Sequence, residues 1–273
     1  MYSEYQVKRW LAPFIKKFWT IDNLNGTKSI TNKSVLPNGC FNIAFVQGEG
    51  LIVQNNIRTT TLSDQVYFCG QATEAVDVTL KAHSKATMVQ LFPWTPVHFS
   101  SLNMHFFNDA IVAIKDIDPA LHHEITQHLP CDNEGLEQLI FTLFKGTLKR
   151  NATTQLLHKS CQYILKDGNL AIHDLCELLQ CSTRYLQKVF KTHIGISPKQ
   201  LMIIVKLRNA VDDIAYPQED DVSFTELALN NNFYDQAHFN RIFRNIVKTS
   251  PKKFEVLQYL LSLKEETQTT SNT

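Results

Sequence analysis

The sequence predicts an α+β chain, with a β-rich first part of about 150 residues and an all-α second part whose two helix-turn-helix units are joined by a long helix. Three observations carry that assignment. Up to about Phe92, short stretches alternate apolar and other residues, as in Val76, Val78, Leu80 and again in Thr87, Val89, Leu91, a period that fits strands. From about Pro119 the apolar residues fall at helical spacing, as in Leu136, Leu139, Ile140, Leu143 and Phe144. Within residues 170–254 the sequence repeats itself. The expected domains are residues 1–150, β-rich with a helical end, and residues 151–264, helical; the polar tail 265–273, rich in Thr, Ser and Asn, is expected to be disordered.

In the first domain the strands are divided by Asn25-Gly26, Pro37-Asn38-Gly39 and Gly48-Glu49-Gly50, dipeptides and tripeptides that favour tight reversals. An antiparallel sandwich or small barrel follows. The helical segment at about 120–150 either closes this domain or forms an interface between protomers.

In the second part, Leu186, Phe190, Ser197 and Pro198 recur 53 positions later as Phe239, Phe243, Ser250 and Pro251, and Ile172, Leu175 and Cys176 recur 52 positions later as Phe224, Leu227 and Ala228. Each copy reads as a short helix, a tight turn and a second helix with one apolar face. In the first copy, Ile172 to Leu179 precedes a turn at Gln180 and Cys181, and the Ser182 hydroxyl suits the cap of the next helix. That helix is expected to bury Tyr185, Leu186, Val189 and Phe190 and to expose Thr183, Arg184, Gln187, Lys188 and Lys191. The second copy runs from Ser223 to Asn230, turns through Asn231, Asn232 and Phe233, and restarts at Asp235. Its second helix is expected to bury Phe239, Ile242, Phe243 and Ile246 and to expose Gln236, His238, Asn240, Arg241 and Arg244. Asn232 falls where the chain reverses with positive φ, which Asn tolerates better than most residues. Between the copies Pro198 opens a helix that Pro217 ends, about 27 Å of helix. That is close to the roughly 34 Å between successive major-groove faces on one side of B-DNA.

The formal charge is only +1, from 27 Lys and Arg against 26 Asp and Glu, which taken whole argues against a nucleic-acid binder. The distribution reverses that inference. Ser182 to Arg208 holds Arg184, Lys188, Lys191, Lys199, Lys206 and Arg208 and no acid, and Asp235 to Phe254 holds Arg241, Arg244, Lys248, Lys252 and Lys253 against Asp235. The acids Asp212, Asp213, Glu219, Asp220, Asp221 and Glu226 lie between. Neutrality is a cancellation between segments, and phosphate contact depends on the local positive faces.

The stretch Leu227-Ala228 through Phe233, then Asp235 to Arg244 and Ser250-Pro251, resembles the signature of the AraC/XylS-type bacterial transcription regulators, over about 155–260. The resemblance implies a seven-helix DNA-binding domain in which the second helix of each motif enters the major groove. Carried over by position, the base-edge candidates are Arg184, Gln187 and Lys188 in the first motif and Gln236, His238 and Arg241 in the second. Arg and Lys suit guanine edges and Gln suits adenine. Asn232 and Lys248 stand where the family usually has Gly, and the acidic stretch Gln218 to Asp221 lengthens the connector. A bulky side chain at the helix-ending position 248 predicts a different turn or strain. Leu36 to Cys40 followed by Phe41 to Phe45 looks like the strand-turn-strand opening of the β-rich sensor domain that precedes this module in many such regulators.

The leading expectation is a sequence-specific DNA-binding transcription regulator, not an enzyme, acting in the cytoplasm on double-stranded DNA. A small-molecule effector and a homodimer are further expectations, and RNA polymerase is a partner by resemblance. Two alternatives are a cupin-like metalloenzyme with a DNA-binding appendage and an effector-independent architectural protein. For the first, His83, His98, His105, His122, His123 and His128 match no familiar ligand spacing, and no cofactor or metal is expected. No Gly-x-Ser-x-Gly elbow or phosphate-cradling glycine loop occurs. The six cysteines form no Cys-x-x-Cys and are expected to be reduced and mostly buried. Of the aromatics Trp10, Trp19, Tyr67, Phe92 and Trp94, plain core is the expected role, with a ligand pocket as the competing one. No apolar run is long enough for a membrane span, and the charged start, with Glu4, Lys8 and Arg9, does not read as a signal peptide.

Overall fold

The computed structural model describes residues 2–5, 7–129, 133–145, 148–166, 168–217 and 223–260. Its strands are β1 (Tyr2–Tyr5), β2 (Ile15–Asn23), β3 (Ile30–Val35), β4 (Phe41–Gly48), β5 (Leu51–Gln54), β6 (Thr59–Leu62), β7 (Gln65–Cys69), β8 (Val76–Leu80), β9 (Ser84–Leu91) and β10 (Ile111–Ala113). The helices are α1 (Pro96–Phe99), α2 (Ile114–Ile117), α3 (Pro119–Thr126), α4 (Asn133–Lys145), α5 (Ala152–Lys166), α6 (Ile172–Leu178), α7 (Thr183–His193), α8 (Pro198–Ala215), α9 (Phe224–Asn230) and α10 (Gln236–Val247).

The strands form two antiparallel sheets, ordered β1-β2-β9-β4-β7-β10 and β3-β8-β5-β6. The strand reading is borne out, with the addition of β10, whose three residues are too few to show a period. Alternation along β2, β4 and β9 serves two cores. Trp19, Ala44, Ala86 and Met88 face the second sheet with Leu51, Val53, Val78 and Leu80, while Phe18, Phe41, Phe45, Val89 and Leu91 face Ile125 of α3 and Leu136, Leu139 and Ile140 of α4. Helices on one side and a sheet on the other explain why β9 is almost wholly buried. The segment at about 120–150 thus packs on the first domain; the side chains of Leu143 and Phe144 lie outside the described residues, as do Cys131, 218–221 and the tail 265–273.

Between the sheets lies a cavity of about 120 Å³, walled by Trp19, Met88, Val53 and Val78, with Arg58 and Asp109 among its polar lining. Trp19 is therefore a cavity wall, whereas Trp94 sits in the core of the first helix-turn-helix unit, where its ring lies 4.7 Å from that of His158.

The helical half holds two cores on one rod. Leu201, Met202, Ile204 and Val205 of α8 pack with Leu157, Leu175, Leu186 and Phe190, while Leu207, Ala210 and Val211 pack with Leu227, Ala228, Phe239 and Phe243. The rod is fixed at its start by a capping box, in which Ser197 Oγ accepts the Gln200 amide and Gln200 Oε1 accepts the Ser197 amide.

Residue 150 is not a break in packing. Trp94 and Val97 enter the first helical core, Leu36 and Ala75 enter the second, and Asn108 Nδ2 donates to the Gly195 carbonyl at 2.7 Å. Gly39, at φ +74°, lies so close to α8 that a Cβ there would stand 2.4 Å from Leu201 Cδ1. After the second unit the chain returns to β3, where the Leu260 amide donates to the Ser34 carbonyl at 2.9 Å.

Candidate nucleic-acid interface

The first unit follows the local chemistry of its sequence. Helix α6 ends at a left-handed Gln180 (φ 51°), and Ser182 accepts the Tyr185 amide to start α7. Leu186, Val189 and Phe190 are sealed in the core. Arg184, Gln187, Lys188 and Lys191 lie exposed on the far side, spaced to make one stripe. Tyr185 departs from expectation: it is 45% exposed rather than buried. It immediately precedes Leu186, about 100° around the helix, and so stands at the edge of the apolar stripe beside Arg184.

The second unit opens with a reciprocal cap, Ser223 Oγ accepting the Glu226 amide and Glu226 Oε2 accepting the Ser223 amide at 3.0 Å. These hydrogen bonds hold the Glu226 carboxyl below the usual range. Asn232 turns the chain at φ 60°, as its position predicts, and Asp235 caps α10 by accepting the His238 amide. Phe239 and Phe243 are fully buried, with rings 5.5 Å apart, while Ile242 and Ile246 are half-buried.

The three candidates on α10 are not equivalent. Arg241 is exposed. Gln236 is half-buried, and its Oε1 accepts a hydrogen bond from Thr225 Oγ1 of α9 at 3.0 Å, which fixes its amide across the motif. His238 is also half-buried, its ring 5.9 Å from that of Phe233 in an edge-on packing, and its Nδ1 is buried without a hydrogen-bond partner. Asn240 is half-buried as well, so α10 is less open than its sequence predicts.

Tyr234 was not among the expected site residues. It precedes the cap of α10, where an apolar side chain commonly packs back onto the fourth helical residue, here Phe239. Instead Phe233 takes that place, its ring 5.1 Å from that of Phe239, and Tyr234 is 87% exposed. With Asp235, Ala237, His238 and Arg241 it lines a shallow open depression at the amino end of α10. Backbone N–H groups concentrate there, a favourable place for a phosphate.

Lys248 ends α10 in the left-handed conformation, φ 68° and ψ 7°, the geometry a glycine there would take. The turn is thus the usual one, and the lysine bears its conformational cost.

Among the described residues, no three His, Cys, Asp or Glu side chains are grouped to hold a metal ion, and no helix is long and apolar enough to cross a membrane. The thiols of Cys40, Cys69, Cys161, Cys176 and Cys181 are all free. Burial pushes the Cys69 thiol up to about 12, which leaves it unreactive.

The family model for a helix-turn-helix domain matches residues 175–255, and one described as a domain of unknown function (DUF6597) matches residues 3–113. An uncharacterized HTH-type transcriptional regulator of Haemophilus influenzae is 30% identical over 83 residues, covering 30% of this chain and 27% of the relative. The Msm operon regulatory protein of Streptococcus mutans is 26% identical over 104 residues, covering 38% of this chain and 34% of the relative. The chain therefore spans about a third or less of these relatives' lengths. Among solved structures, ToxT from Vibrio cholerae is 10% identical with a TM-score of 0.47, covering 88% of this chain and 98% of that one. The C-terminal domain of AraT from Geobacillus stearothermophilus is 20% identical with a TM-score of 0.34, covering 43% and 96%. Residues 175–255, which span most of both motifs, thus match a helix-turn-helix domain, and over that part the chain is similar to the AraC-type transcription regulators.

Proposed function

We propose that the protein is a sequence-specific DNA-binding transcription regulator whose residues 151–264 read double-stranded DNA and whose residues 1–150 take a small-molecule effector. The observation that carries the reading is the pair of matching units. In each, a helix with a sealed apolar side presents a basic face outward, and α8 joins them as one continuous helix. In this reading Arg184, Gln187 and Lys188 on α7, with Arg241 on α10, contact base edges, and their exposure supports it. Gln236 and His238 take a more limited role, Gln236 through its bond with Thr225 and His238 through its place beside the depression at Tyr234.

The effector half of the reading is supported by the cavity between the sheets, whose walls are mostly apolar and whose polar groups are few. RNA polymerase and a second copy of the chain are the further partners of such a regulator, acting in the cytoplasm, and no catalytic role is assigned to any residue.

Selection of bound sequences from a random DNA pool tests the reading, followed by Arg241→Ala. The variant should lose about 1–3 kcal/mol of discrimination at one base position and leave the others as they were. A uniform loss across all positions would make Arg241 a phosphate contact instead.

A further inference from the structure

The cavity between the sheets has a polar row across one wall. On β4 the side chains of Phe41 and Phe45 face the helices, so the alternate residues Asn42, Ala44 and Val46 face the second sheet. Asn42 lies level with Cys69 of β7 on one side and with Gln90 of β9 on the other, and all three line the cavity. Two residues along, the same face carries Tyr67, Ala44 and Met88, again level with one another and all buried. Val53 and Val78 stand across from them on the second sheet. Two amides and a thiol thus form a narrow band in an otherwise apolar chamber.

The band is uncharged, and part of it lacks a partner. Gln90 is 3% exposed, and the Asn42 Oδ1 is buried with no hydrogen bond, an arrangement that costs stability until a donor meets it. The Cys69 thiol keeps its proton. Charged groups nearby are engaged elsewhere. Thr73 donates to the Asp109 carboxylate through its amide and its hydroxyl, both at 2.7 Å, and Arg58 donates to the Asp109 carbonyl at 2.8 Å. Lys17, level with Gln90 on β2, pairs with Glu4. Asn38 and Asn55 spend their side-chain oxygens on amides of their own loops, those of Cys40 and of Ile57 and Arg58. The volume of about 120 Å³ sets the size, since an apolar cavity of roughly 150 Å³ takes up benzene.

We propose that the cavity takes an uncharged molecule of about one ring, apolar but for a hydroxyl group that hydrogen-bonds the amides of Asn42 and Gln90. A hydroxyl donates and accepts at once, so it meets an amide oxygen and an amide N–H together. A carboxylate would instead face the Asn42 oxygen with no proton between them. The inference rests on the reading of residues 1–150 as the effector half and names the class of molecule that half takes.

Calorimetric titration of the full chain with phenol, toluene and benzoate tests it, because the three share a ring and differ in the group that meets the amides. Phenol should bind about five- to tenfold tighter than toluene, and benzoate at least about tenfold weaker than phenol. Asn42→Leu should abolish phenol's advantage and keep toluene binding; Gln90→Met, close in shape, carries the same expectation if Asn42→Leu does not fold. Val53→Phe, which fills the space, should abolish binding of both. Toluene as tight as phenol in the parent, or an advantage of phenol that survives in the amide variants, would overturn the role of Asn42 and Gln90. Benzoate as tight as phenol would overturn the uncharged class, and phenol binding that persists in Val53→Phe would overturn the location. If none of the three binds, the proposal fails while the effector reading stands. Phenol bound as expected, with the affinity for the selected DNA unchanged, would instead overturn the effector reading and leave the chemistry of the cavity in place.

Discussion

The salt dependence of DNA binding is where the charge segregation becomes a number. Five basic side chains stand exposed on the two recognition helices: Arg184, Lys188, Lys191, Arg241 and Arg244. Each brings a positive charge against the duplex whether it ends on a phosphate or on a base edge, so log K falls with log salt at a slope of about −4.5, at about 0.9 of a condensed counterion released per charge. A fourfold rise in salt, from about 50 to about 200 mM, then weakens binding about 500-fold. Lys191→Ala, at an exposed lysine that is not among the base-edge candidates, should lower the magnitude of the slope by about 0.9, with the same change on every DNA sequence. Fluorescence anisotropy of labelled DNA across a potassium chloride series measures both quantities. A slope shallower than about −2 would refute the reasoning, because it would mean that most of these groups face away from the duplex.

Other outcomes follow from the cores and their ionisable groups. Phe243 is fully buried among Phe239, Phe254 and the α8 rod, so Phe243→Ala should cost about 3–5 kcal/mol in chemical denaturation, and a loss under about 1 kcal/mol would show that the site collapses freely. Burial holds His98, His158 and His193 below the usual histidine pKa, with Arg150, His98 and Lys149 respectively adding repulsion. The folded chain then binds protons less readily than the unfolded one, so this stability is complete above the unfolded value of about 6.5 and is lost as pH falls through the folded values. The melting temperature should drop on acidification below about pH 6.5, and less in His98→Gln, whose amide can still donate to the Lys149 carbonyl; an identical drop in that variant would remove His98 from the account.

The helical half was legible where the governing interaction is local. Ser182, Ser197, Ser223 and Asp235 cap helices because a short oxygen-bearing side chain reaches an amide three residues on, and that spacing is visible in a sequence. Asn232 is legible for the same reason. What escaped depends on neighbours distant in the chain. Gln236 loses freedom to Thr225, eleven residues earlier, and Tyr234 stays outside because Phe233 fills the place beside Phe239. The sheets were legible as strands but not in their order, since β2 pairs with β9 and nothing in either strand names its partner. Lys248 looks like an obstacle when read alone. Beside Glu74, which the sequence holds 174 positions earlier, it has a partner.

The single rod of α8 also sets a phase. Each residue added to or removed from it would turn the second unit about 100° around the helix axis and move it about 1.5 Å along that axis. With the first recognition helix fixed in its groove, a one-residue change would swing Arg241 away from the base edge proposed for it rather than merely displace it. The number of residues from Pro198 to Ala215 is in that sense a measure of where on the DNA the second half of the site must begin.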